Sequence, residues 1–149
     1  AGLSGHLVIS TIHAGRTFNV FNRLLSMGVD RHQLSLAATG VVAQRLVRML
    51  CTECREKSAQ GEWFAPGCSH CNDTGSIGRR GIFEIATVNS HIRHKILQRI
   101  PPSELAAVVE DSQSTSLTEI GRELMENGDI SPAEFALILG PLEEENAIG

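Results

Sequence analysis

Cys51-Thr52-Glu53-Cys54 and Cys68-Ser69-His70-Cys71 decide how the middle of this chain is read. They are two C-x2-C pairs separated by the thirteen residues Arg55 to Gly67. A C-x2-C turn brings two thiolates to one side of a zinc ion, at about 2.3 Å, and two such turns close a tetrahedral shell. A closed shell leaves no position for water, so the spacing predicts a structural Zn2+ rather than a catalytic one. The loop between the pairs has few apolar residues besides Trp63 and Phe64 and so has little core of its own. Apparent zinc binding in small motifs, about 10–16 kcal/mol, is ample to order such a segment. Three other readings of the same thiols stay open: buried free cysteines, a redox C-x2-C at either pair, and an iron–sulfur cluster. Neither pair follows a strand in a thioredoxin-like pattern. His70 offers a substitute ligand, although four cysteines already complete the shell.

Upstream of the cysteines, Leu7-Val8-Ile9 is too short for a helix and predicts a buried strand. Phe18, Phe21, Leu24 and Leu25 share one face of a helix starting near Thr17 and stopping at Gly28. Asp30 caps the next helix, with Gln33 three residues on. Leu34, Ala38, Val41, Val42 and Leu46 carry its apolar stripe toward Leu50, and Gly40 inside it predicts close packing or a small irregularity. Downstream, periodicity returns only after Gly81. Ile82 to Val88 reads as a strand, and Asn89 is placed to cap a helix with Ile92, Ile96 and Leu97. The last third is helical. Ser103 follows the Pro101-Pro102 break as a cap, Ser116 with Glu119 forms a capping box, and Ser131-Pro132 with Glu134 starts a final helix that Gly140 stops.

The bulk numbers describe an ordinary globular chain of 149 residues, 42% hydrophobic and 20% charged, with a net charge of −4. That charge argues against nucleic acid as a partner. Basic residues do gather at Arg45, Arg48, Arg55, Lys57, Arg79 and Arg80, which reads first as solvated surface and only last as a nucleic-acid footprint. No apolar run approaches the roughly 20 residues that span a bilayer. Ala1 to Ser10 lacks the basic region of a secretion signal, so the expected location is cytoplasmic.

Gly5-His6-Leu7-Val8-Ile9-Ser10-Thr11-Ile12-His13 resembles the strand and histidine box of type II secretion and type IV pilus-assembly ATPases. Arg23-Leu24-Leu25-Ser26-Met27-Gly28-Val29 and Ala43-Gln44-Arg45-Leu46-Val47-Arg48 resemble that family's helices in the same order. They lead into a tetracysteine motif, as in its zinc-bearing members. Thr74-Gly75-Ser76-Ile77-Gly78-Arg79-Arg80-Gly81-Ile82-Phe83-Glu84 resembles its glycine–arginine turn and strand, and Ser116 to Ile130 its C-terminal helices. The likeness runs from about Gly5 to Leu139.

The resemblance implies an α/β fold: the C-terminal part of a RecA-like motor ATPase, with an inserted zinc knuckle and a C-terminal helical bundle. Its implied divisions are residues 1–50 and 72–88 for the core, 51–71 for the insert, 89–140 for the helices and 141–149 for a flexible tail. It further implies a homo-hexamer that hydrolyses ATP with Mg2+ and works with inner-membrane assembly platform proteins, membrane association coming only through those partners. By the same analogy, His13 faces the γ-phosphate and Arg79 lies near the nucleotide's base or sugar. Ala14 and Gly15 stand where the family commonly has threonine and asparagine, and the cysteine loop is shorter than in many relatives. The sequence contains no G-x-x-x-x-G-K-[ST], and neither Lys57 nor Lys95 follows a glycine. The expectation is therefore a piece that begins after the magnesium-binding part of the motor and does not turn over ATP alone. A zinc-stabilised interaction module without catalytic role is the alternative.

Overall fold

The computed structural model describes residues 5–14, 16–112 and 114–140. Gly15 and the tail 141–149, on which two expectations fall, lie outside the described residues. Helices and strands are mixed, as the sequence predicts. In chain order they are α1 (Asn19–Ser26), α2 (Arg31–Ala37), β1 (Gly40–Leu50), β2 (Glu56–Lys57), β3 (Trp63–Phe64), β4 (Ser76–Thr87), α3 (Ser90–Leu97), α4 (Pro102–Asp111), α5 (Leu117–Glu126) and α6 (Pro132–Leu139). One turn of 3-10 helix, Ser69–Cys71, precedes β4.

β1 corrects the reading of a single helix running from Asp30 to Leu50. Asp30 does cap α2, its carboxylate accepting the Gln33 N–H at 2.9 Å. The helix nevertheless ends at Ala37, and Ala38 is already extended. From Gly40 the chain alternates: Val42, Gln44, Leu46 and Arg48 are exposed, whereas Val41, Ala43 and Arg45 are half-buried and Val47 is buried; the alternation ends before Leu50, which is also buried. The apolar positions fit both periods over this stretch, and the β-branched Val41, Val42 and Val47 favour the pleated form. β1 pairs with β4. The Val88 N–H bonds the Thr39 carbonyl at 3.0 Å, and the Cys51 N–H bonds the Gly75 carbonyl at 2.9 Å, so the residue numbers run in opposite directions and the pair is antiparallel.

Leu7-Val8-Ile9 corrects a second expectation. It forms no strand, and its side chains are exposed, Leu7 by 84% and Ile9 by 87%. A strand requires a ladder partner, and among the described residues none pairs with it.

The chain divides into two compact units, Ala1–Ala43 with Glu84–Thr115, and Gln44–Phe83 with Ser116–Gly149. In the first, Phe21, Leu34, Ala86, Val88, Ile92, Ile96, Leu105 and Val109 form the core. Asn89 caps α3 through the Ile92 N–H at 2.9 Å. Ser103 is not the cap of α4. That helix starts one residue earlier at Pro102, where a fixed φ and a missing N–H suit the first turn.

In the second unit both predicted caps of the last helices form. Ser116 and Glu119 make a reciprocal capping box on α5, and the Ser131 hydroxyl accepts the Glu134 N–H on α6. Glu134, only 5% exposed, also receives the Arg48 backbone N–H and Nε, both at 2.8 Å. Arg48 is half-exposed and can rehydrate if its partner is lost. Glu134→Ala is therefore expected to cost about 1.5–3 kcal/mol, the range for hydrogen bonds to charged groups, rather than the larger penalty of a fully buried pair. A urea midpoint shift at unchanged slope measures it.

Candidate metal centre

The cysteine segment is built from short pieces that each turn a thiol inward. After β1 ends at Leu50, the Arg55 N–H closes onto the Cys51 carbonyl at 2.9 Å and brings Cys54 back beside Cys51. On the second pair, the 3-10 turn closes through the Cys71 N–H and Cys68 carbonyl at 3.2 Å. Asn72 and Asp73 then take left-handed backbone, with φ of 51° and 60°, and reverse the chain into β4. The hairpin β2–β3, antiparallel with Glu56 opposite Phe64 and Lys57 opposite Trp63, spans the loop between the pairs.

The four sulfur atoms lie within 4.8 Å of one another. Cys51 to Cys68 and Cys54 to Cys71 are each 3.9 Å, and Cys68 to Cys71 is 3.8 Å. A tetrahedron with metal–sulfur bonds of about 2.3 Å has edges of about 3.8 Å, so the donor set fits a tetrathiolate ion. Disulfides have far shorter sulfur–sulfur distances, about 2.05 Å. Cys51 and Cys71 are buried, and Cys54 and Cys68 are half-buried. His70, on the outside of the 3-10 turn, is exposed and not part of the cluster.

Backbone dipoles around the sulfurs favour thiolate. The Cys71 Sγ accepts N–H groups from Cys68 at 3.2 Å and Gly75 at 3.3 Å. Burial pushes the Cys71 thiol up, but these two N–H groups, with the Cys68 and Cys54 thiols, bring it down to about 6. Cys54 goes the other way: burial, joined by its three cysteine neighbours and opposed by the Gly67 N–H, pushes it up to about 12.

The knuckle is held against the turn that joins α5 to α6. Arg55 Nη1 donates to the Gly128 carbonyl at 2.6 Å and to Asp129 Oδ1 at 3.1 Å. Trp63 Nε1 donates to the Glu126 carbonyl at 3.1 Å. The Trp63 ring lies so close over Gly128 that a Cβ there would sit 2.5 Å from it. Arg55 and Lys57 stand over the same ring at 5.5 and 5.0 Å from its centroid. The sequence shows Trp63 as one of the few apolar residues of the loop but gives no hint of Glu126 and Gly128, its partners more than sixty residues away.

His13 belongs to the first unit and is exposed, outside helix and strand. Arg79 belongs to the second and is exposed on β4. None of the helices among the described residues is long and apolar enough to cross a membrane.

A mixed helix-and-strand chain with four cysteines grouped so that they could hold a metal ion is the class these features define. A family model described as Type II/IV secretion system protein matches residues 1–144, and the chain belongs to that family. It is similar to the type II secretion system protein HxcR of Pseudomonas aeruginosa, with 37% identity over 91% of this chain and 29% of that protein. Similarity to the protein transport protein HofB homolog of Escherichia coli is 37% over 94% of this chain and 33% of the relative. For type II secretion system protein E of Pseudomonas aeruginosa the values are 33%, 86% and 28%. The chain thus spans about a third of the length of the relatives it matches.

Proposed function

We propose that this chain is the C-terminal part of a hexameric, RecA-like ATPase that powers type II secretion or the assembly of a type IV pilus or pseudopilus. The match of a secretion-system family model to residues 1–144 carries this reading, supported by relatives whose names are those of type II secretion proteins. In the longer protein, which binds ATP with Mg2+, His13 and Arg79 each contribute to nucleotide handling. Exposed His13 is free to approach a γ-phosphate or its attacking water, and exposed Arg79 the base or sugar. Catalysis of phosphoryl transfer is mostly positioning and charge stabilisation, which is work an imidazole at such a site can do. The protein acts at the cytoplasmic face of the inner membrane, held there by assembly platform proteins.

The tetracysteine cluster holds a structural Zn2+. Four sulfurs saturate a tetrahedral ion, so it takes no substrate and its contribution is to order the segment from Cys51 to Cys71. A second reading makes that segment a docking module for an assembly partner. It is supported by a groove between the β2–β3 hairpin and the start of α6, lined by Trp63, Phe64, Pro132 and Ala133.

His13 gives the direct test. In the longer protein, with its phosphate-binding region, His13→Ala is expected to lower ATP turnover at least about tenfold, some 1.4 kcal/mol of barrier. Unchanged turnover would remove His13 from the mechanism.

A further inference from the structure

Among the described residues, Glu84 is the largest polar side chain sealed inside the first unit. Strand alternation on β4 buries Glu84 with Ala86, Val88 just beyond the strand is buried too, and both of those neighbours belong to the apolar core. Glu84 is 0% exposed, and so is Thr17, whose hydroxyl donates to Glu84 Oε1. Burying a carboxyl costs free energy unless it is hydrogen-bonded, and packing alone would be served by valine or leucine at this position. What an apolar residue would not supply is a directional hold on Thr17.

That hold falls at a particular place. The Thr17 carbonyl accepts the Val20 N–H and the Arg16 carbonyl accepts the Asn19 N–H, both at 3.2 Å, so Thr17 sits in the turn that opens α1. Val20 and Phe21, just beyond, are buried. On the other side only three residues separate Thr17 from His13. His13 is exposed, and Leu7 to Ile9 before it are exposed too. The segment carrying His13 is therefore anchored to the core at its Thr17 end, and Glu84 supplies the acceptor there.

We propose that Glu84, acting through the Thr17 hydroxyl, is the positioning residue that sets where the His13 segment leaves the core. The proposal rests on the reading of His13 given above. A displacement of about 1 Å at a reacting group can cost about a hundredfold in rate. An anchor of this kind therefore acts on turnover before it acts on nucleotide binding.

Thr17→Val removes the hydroxyl and keeps the shape, Thr17→Ser restores the hydroxyl, and Glu84→Gln keeps an acceptor for it. In the longer protein, Thr17→Val is expected to lower kcat at least about tenfold while the KM for ATP stays within about twofold. Thr17→Ser and Glu84→Gln should stay close to the parent. In the 149-residue chain, amide exchange over residues 10–17 should quicken in Thr17→Val, with Leu117 to Leu139 unchanged. Parental exchange in Thr17→Val, or equal impairment of the valine and serine variants, would overturn the proposal. His13→Ala measured alongside separates the two ideas. If it leaves turnover intact, the role of His13 is lost, and the exchange comparison alone then decides whether Glu84 and Thr17 hold the segment.

Discussion

Stripping the metal is expected to unfold the segment from Cys51 to Cys71 and to change the emission of Trp63, the only tryptophan in the chain. The purified protein should contain about one zinc per chain, and the apparent binding free energy should fall in the range of about 10–16 kcal/mol known for small zinc motifs. The effect is large because within this segment only Cys51 and Cys71 are buried. Its only regular structure is a hairpin with two residues per strand and one 3-10 turn. Trp63 is the natural reporter, since its ring lies against Gly128 and its indole N–H is bound to the Glu126 carbonyl. Arg55, next to Cys54, bonds the same turn, so loss of the ion should loosen the α5–α6 junction as well. Zinc release should come at lower chelator concentration as pH falls, because protons compete for the sulfurs. A metal-free chain with unchanged Trp63 emission and a protease-resistant knuckle would refute the picture. In the longer protein, Cys51→Ser separates the two functional readings. Loss of assembly with basal ATP hydrolysis intact favours a docking module, whereas loss of both assigns the cysteines to folding alone.

The parts of this fold that were legible in the sequence are those settled by residues close together in the chain. Asp30, Asn89, Ser116 and Ser131 each accept the N–H three residues on, and all four were readable because a cap is a local bond. The cysteine cluster was readable for a similar reason, its spacing being set by coordination chemistry. The stretch from Gly40 to Leu50 was misread because its apolar residues satisfy both a helical and an alternating period. What decides it is β4, more than twenty residues downstream. Leu7-Val8-Ile9 has strand composition, yet composition supplies no partner. The Trp63 clamp and the Thr17–Glu84 bond were out of reach altogether, because each joins residues more than sixty positions apart through side chains of common type.

Gly75→Ala should weaken zinc binding at least about a hundredfold, some 2.7 kcal/mol, although residue 75 is not a ligand. Gly75 is buried with φ at +70°, a conformation that costs alanine about 1 kcal/mol before any contact is considered. The contact is worse. A Cβ at this position would lie 2.3 Å from the Ala65 carbonyl oxygen and 3.2 Å from its carbon. These are backbone atoms and cannot rotate away, so the strand start and the loop at Ala65 must separate. Gly75 also joins both cysteine pairs, its N–H donating to Cys71 Sγ at 3.3 Å and its carbonyl accepting the Cys51 N–H at 2.9 Å. Separation therefore spreads the sulfurs beyond the edge of about 3.8 Å that a tetrahedral zinc site requires. Competition against a chromophoric chelator measures the change. His70→Ala is the matched control, since that ring is exposed outside the cluster and its loss should leave affinity at the parental value. Parental affinity in Gly75→Ala would mean that the sulfurs hold their arrangement without this backbone, and that the ion shapes the loop rather than the reverse.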